Sequence, residues 1–271
     1  MKIFTEESPR YRKFAIYSPP GSGKTWTAMT SPGPILYLLS EYQAIEHIRG
    51  ACRHYGVPFP HLLFMESKRD YFNVIQAFNA DRTKPFKIVD KDETILELEE
   101  WPQTVVIDSL TDALDRLQRD LMREAPPQKS SKTNLPEKTF SFWNALSDRC
   151  VLFIKQFRDI EANVIFLCLR KDKDADHRSS RYTGPDLPTK ALGETLSAAV
   201  NVCAQMKRFE SEKINSEGET ELDEMGRIKK EYHYVLVTKG EEHETIKSDS
   251  RLKTNEKPDI SHIIRLLDEE V

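Results

Sequence analysis

The chain has 271 residues, 38% hydrophobic and 31% charged, a balance that excludes an extended disordered protein and suits one sizeable packed core, expected as a single domain over residues 1–271. A formal net charge of −4 excludes the global basic footprint of many nucleic-acid binders, so any contact with DNA or RNA must be local. The start, MKIFTEESPR, has no signal-peptide-like apolar run, and ILYLL and VIFLCL are too short to span a bilayer, so a cytoplasmic protein with no membrane partner is expected.

In chain order, KFAIYS reads as a buried strand that stops at Pro19-Pro20-Gly21, and GKTWTAMT as a short helix ending before SPGP. ILYLLSE is the next buried strand, and strand, loop, helix, strand is the opening of a parallel α/β sheet. The pattern then predicts an amphipathic helix over 44–55, a strand at HLLFME, a helix over 71–79 and a hairpin near FKIVDKDETILEL. QTVVIDS is a further buried strand, feeding a helix with Leu110, Leu114, Leu117 and Leu121 on one face. REAPPQKSSKTNLPEK has no periodicity and reads as a long loop, followed by an amphipathic helix marked by Trp143, Leu146, Cys150, Phe153, Ile154 and Phe157. ANVIFLCL is another core strand, and RKDKDADHRSSRYTGPDLP a second long loop. After a short helix over 192–199, NVCAQMKRF and KKEYHYVLVTK form a hairpin whose exposed tip spans 209–228, and a helix over 258–271, capped by Asp259 or Ser261, closes the chain. Cys52, Cys150, Cys168 and Cys203 show no C-x-x-C pair, and His47, Cys52, His54 and His61 match no common zinc spacing, so free thiols are expected.

The chemistry is carried by SPPGSGKT. Glycines at 21 and 23 let backbone N–H groups turn inward around phosphates, Lys24 reaches the β- and γ-phosphates, and Thr25 offers its hydroxyl to Mg²⁺. Ser18 stands where the pattern usually begins with glycine. Pro20, Gly21, Ser22, Gly23, Lys24, Thr25 and Trp26 are the expected nucleotide contacts. Asp108, closing TVVID, is the second expected metal-side group, with helix N-cap as its other possible role. Ser109 follows it, so the Asp-Glu pair by which many AAA+ ATPases activate water is absent, and Glu41, at the end of a neighbouring strand, is the candidate for that task.

With PPGSGKT, ILYLLSE, VVIDSLTDAL, NVIFLCLRK and VLVTKG, the chain resembles the RecA-like nucleotide-binding proteins of bacteriophages, including single-strand annealing and recombination ATPases of the Sak type, which amount to a RecA core alone. The resemblance covers most of the chain. It implies a RecA-like P-loop NTPase fold, α/β with a mainly parallel central sheet flanked by helices and a C-terminal antiparallel hairpin. It also implies ATP and Mg²⁺ as cofactors, single-stranded DNA as partner, a homo-oligomer in ring or filament form, a single-strand-binding or replication protein as further partner, and a phage protein in the bacterial cytoplasm. Lys239 would reach the γ-phosphate of a neighbouring subunit's nucleotide. The two loops, 125–138 and 170–188, would face DNA with Lys129, Lys132, Lys138, Arg170, Lys171, Lys173, Arg178, Arg181 and Tyr182. The chain departs from the pattern at Ser18, at Tyr42 and at Gly240. A nucleotide-gated adaptor for a replication partner, and a small-molecule or nucleotide kinase, are the alternatives.

Overall fold

The computed structural model describes residues 10–124, 140–174, 181–215, 220–223, 225–241 and 243–269. The first half of the chain forms β1 (Lys13–Ser18), α1 (Lys24–Ala28), β2 (Ile35–Leu39), α2 (Ala44–Tyr55), β3 (His61–Phe64), α3 (Lys68–Phe78), β4 (Phe86–Asp90), β5 (Glu93–Leu98), β6 (Thr104–Asp108) and α4 (Leu110–Glu124). The second half forms α5 (Phe140–Arg158), β7 (Asn163–Lys173), β8 (Tyr182–Pro185), α6 (Lys190–Ala199), β9 (Val202–Glu212), β10 (Lys230–Val237), β11 (Asn255–Glu256) and α7 (Ile260–Asp268).

The main sheet runs β11-β10-β9-β1-β7-β6-β2-β3, with β8 hydrogen-bonded to the outer end of β7. From β9 to β3 every pairing is parallel, and β10 and β11 extend that sheet antiparallel. β1 is buried at all six positions because it has a parallel strand on each side and helices on both faces. Alternation along it sends Ala15 and Tyr17 toward α3, α4, α5 and α6, while Phe14 and Ile16 join α1, α2 and α7 on the opposite face. β7 separates β1 from β6, so the phosphate loop and Asp108 lie at the same edge of the sheet, two strands apart, at the carboxyl ends where α/β sheets bind ligands.

The expected hairpin at 86–98 is present as a separate two-stranded sheet, with Lys91 (φ 48°) and Asp92 (φ 69°) both in the left-handed region that a tight two-residue turn demands. Of the two cap candidates for α7, Asp259 does the work, its carboxylate accepting from the His262 N–H at 3.0 Å. At α4 the cap is Ser109, whose Oγ accepts from the Asp112 N–H at 3.2 Å, so the capping role weighed for Asp108 falls to its neighbour.

One loop needs correction. The stretch from Arg170 to Pro188 is in part strand: β7 continues to Lys173 and pairs antiparallel with β8, Arg170 opposite Pro185 and Lys171 opposite Gly184. The backbone of Arg170 and Lys171 is thereby fixed by a ladder that the sequence conceals, because Arg170–Lys173 is charged throughout, Tyr182–Pro185 contains Gly and Pro, and neither shows an apolar alternation. A side chain at 184 would come within 2.3 Å of the Tyr182 hydroxyl, which accounts for glycine there. The expected contacts Lys129, Lys132, Lys138 and Arg178 lie outside the described residues.

Candidate nucleotide-binding site

The loop between β1 and α1 turns through two left-handed residues, Gly21 (φ 72°) and Gly23 (φ 88°), conformations that a side chain would strain. Gly23 is also crowded: a Cβ there would lie 3.2 Å from the Tyr234 ring and 3.3 Å from the Met206 methyl. The loop therefore packs directly on β9 and β10.

Lys24 is folded back over the loop. Its ammonium donates to the Ser18 carbonyl at 3.0 Å, the Pro19 carbonyl at 3.1 Å and the Ser18 hydroxyl at 3.1 Å. Ser18, which replaces the usual glycine, is thus a ligand for the lysine, fully buried at the strand end. Burial lowers the Lys24 pKa, and the nearby Asp108 carboxylate acts in the opposite sense.

Across β7, the Thr25 hydroxyl donates to Asp108 Oδ2 at 3.1 Å, and the Tyr37 hydroxyl donates to the same oxygen at 2.7 Å. Burial pushes the Asp108 carboxyl pKa up, while the Tyr37 and Thr25 hydroxyls and then the Lys24 charge hold it down. Thr25 and Asp108 are hard oxygen donors brought together, and among the described residues no group of three or more His, Cys, Asp and Glu side chains could hold a metal ion. An ion bound here must draw further oxygens from a phosphate ligand and water, which is how Mg²⁺ is commonly held, so the donor set fits that ion.

Glu41 stands two residues beyond Leu39, the register partner of Asp108, and the corner before it is fixed: the Ser40 N–H donates to the Asp108 carbonyl at 2.8 Å and Arg116 reaches the Ser40 carbonyl at 3.3 Å. The Glu41 side chain is exposed and makes no hydrogen bond among the described residues. Tyr42 stacks on Phe64 with ring centroids 3.9 Å apart, which gives the departure at that position a packing role.

Beyond the loop lies a cavity of about 470 Å³ lined by residues 21–27 on one side and by His47, Tyr55, Met206, Tyr234 and Pro258 on the others. Of the expected nucleotide contacts, Gly21, Ser22, Gly23, Lys24, Thr25 and Trp26 line it, whereas Pro20 is exposed and does not. Aromatic walls beside a glycine-rich loop that opens a helix suit a ligand with a planar ring at one end and phosphates at the other.

The expected distal residues are not gathered there. Lys239 is exposed just past β10, and at Gly240 after it a Cβ would come within 2.3 Å of the end of the Glu244 side chain, so a larger residue there would displace it. Arg170 pairs with Asp172 at 2.8 Å and Lys171 with Asp186 at 3.0 Å, so both charges point to side chains of their own neighbourhood. Arg181 lines a second cavity of about 820 Å³ with Tyr182, Lys190, His243 and Lys247.

Sequence reasoning missed Tyr37, the aromatic walls and the part played by Ser18. For Tyr37 a signal existed: it is the single hydroxyl in the apolar strand ILYLL, and a buried tyrosine needs a partner. The walls come from α2, β9, β10 and the segment before α7, which no local pattern brings together.

A family model described as AAA domain matches residues 10–252. The chain belongs to the AAA domain family. This makes it a P-loop NTPase of AAA type, and the match spans every element from β1 to β10. Within the matched region Asp108 is followed by Ser109, and the serine is committed to capping α4. The segment with Pro258 and α7 lies beyond the match. No curated protein matches the chain. Among the described residues no helix is long and apolar enough to cross a membrane.

Proposed function

We propose that this chain binds and hydrolyses ATP with Mg²⁺ and uses the cycle on single-stranded DNA, as a protein of phage recombination, annealing or repair of the Sak type. The observation that carries the ATPase half is the hydrogen bond from Thr25 to Asp108 across the mouth of a loop built on Gly21 and Gly23. Lys24 leaves its carbonyl partners for the β- and γ-phosphates, a charge-assisted exchange that neutralises the incoming anion. The base of ATP sits in the cavity between Tyr55, His47 and Tyr234. When bound, Mg²⁺ supplies charge for the phosphoryl oxygens, and Thr25 and Asp108 are the residues that hold it. Glu41, fixed through Ser40 to the Asp108 strand, accepts a proton from the attacking water or orients it. Lys239 of an adjacent copy completes the site in a ring or filament.

The DNA half rests on the sequence resemblance and on the second cavity, where Arg181 and Lys190 flank Tyr182 and the Lys190 ammonium stands 5.8 Å from that ring's centre. The adaptor reading is supported by an observation of its own: Phe209, Ile214, Leu222, Met225, Ile228 and Tyr232, all on or beyond the β9 and β10 strands, are exposed, as a surface for a protein partner such as a replication protein would require.

The deciding measurement is ATP turnover at low salt with and without single-stranded DNA. Stimulation by DNA is the expected result, with the DNA affinity falling with salt at a logarithmic slope of about −0.7 per phosphate neutralised. Turnover indifferent to DNA favours the adaptor, and transfer of the phosphoryl group to an added acceptor favours a kinase.

A further inference from the structure

We infer that Tyr37 is a positioning residue for the metal side of the site, holding Asp108 in the orientation that a Mg²⁺-nucleotide complex requires; this rests on the nucleotide reading above. Tyr37 is the central residue of β2, whose other four side chains are Ile and Leu, and it is fully buried. Its ring is packed in the cluster of Phe14, Ile16, Ala28 and Val106, so the hydroxyl has no freedom to search for a partner. Phenylalanine would fill the same space. What the hydroxyl adds is a hydrogen bond to Asp108 Oδ2 at 2.7 Å, beside the Thr25 hydroxyl, which donates to that same oxygen at 3.1 Å. No described residue donates to Oδ1.

Two donors on one oxygen, one from the core and one from the loop, fix the rotation of the carboxylate about its Cβ–Cγ bond. The carboxylate therefore keeps a single orientation, and Oδ1 remains for the metal or its water. Groups that orient a metal ligand from behind act through the ligand's geometry, and their removal typically weakens metal affinity about 10–100-fold. A tyrosine present only for packing would show itself in stability and leave metal affinity untouched.

The test is Tyr37→Phe in the full chain, with binding of a fluorescent ATP analogue measured in EDTA and across a Mg²⁺ titration, and with a thermal melt as the check on folding. Expected are unchanged affinity in EDTA, because Lys24 and the loop are intact, and a Mg²⁺ half-saturation concentration raised about tenfold or more. In an Asp108→Asn background the same substitution adds no further loss, since the two act as one unit. An unchanged Mg²⁺ half-saturation, or an equal loss in both backgrounds, overturns the inference and leaves the nucleotide site standing. Wild-type protein that binds the analogue no better with Mg²⁺ than in EDTA removes the magnesium reading and this inference with it. Wild-type protein that binds no analogue in either condition removes the nucleotide reading itself.

Discussion

Polar groups at the phosphate loop and along the β9–β10 ribbon are partnered in opposite ways. At the loop, Lys24 leans on carbonyls and a hydroxyl rather than on a carboxylate, and Asp108 accepts from two hydroxyls rather than from a cation. Along the ribbon, opposite charges meet directly: Lys213 and Lys229 with Glu221, Lys230 with Glu210, Arg227 with Asp223. The ribbon pairs are exposed, where solvent and salt screen them and each contributes little. The loop pairs leave a positive and a negative group close together but not neutralised, which is the condition for a site that receives a phosphate and a cation together.

That contrast orders the expected effects of mutation. Lys24→Ala removes the cation itself, and ATP turnover should fall on the order of 10²–10³-fold in a protein whose melting curve is intact; unaltered turnover in a coupled ATPase assay would count against the loop. Glu41→Gln keeps the shape and loses the base, so single-turnover hydrolysis should drop about 10²-fold while analogue binding persists. A rate equal to wild type would mean that another group handles the water. Gly23→Ala places a side chain in left-handed backbone, a strain of about 1–2 kcal/mol, and against the Tyr234 ring; nucleotide affinity measured by titration should fall about tenfold. At the small end, Lys230→Ala paired with Arg227→Ala should change neither turnover nor melting temperature, at low salt or high. A marked loss in either would show that the ribbon's charges carry more than screened surface pairs can.

Legibility was uneven along the chain, although the β9–β10 ribbon was read as the hairpin it forms. The order of strands and helices through β1, α1, β2, β6 and α4 was readable because each strand is a largely apolar run that ends at a polar residue or proline, and α4 shows leucines at helical spacing. That Lys24, Thr25 and Asp108 come together was expected from a local motif plus its strand–loop–helix setting. The extension of β7 and its pairing with β8 were hidden, since Arg170–Lys173 and Tyr182–Pro185 owe their strand form to each other and to no pattern of their own. β11, two residues long, exists only because β10 presents an edge. Tyr42 and Gly240 looked like departures from a family; one stacks on Phe64 and the other makes room for Glu244, and each is explained by a contact distant from any motif.

The cavity wall joins residues from opposite ends of the sequence, with Gly21 through Trp26 facing Met206, Tyr234 and Pro258. A latch reinforces the join: the Ile260 N–H donates to Thr30 Oγ1 at 2.8 Å and the Ser261 hydroxyl to the Thr30 carbonyl at 2.6 Å, tying the start of α7 to the turn after α1. A growing chain emerges amino end first and folds as it appears, so the loop is made well before its opposite wall. On the ribosome, then, the nucleotide cavity cannot close until the segment around Pro258 has been released, and a nascent chain stalled before β10 carries the motif without the pocket.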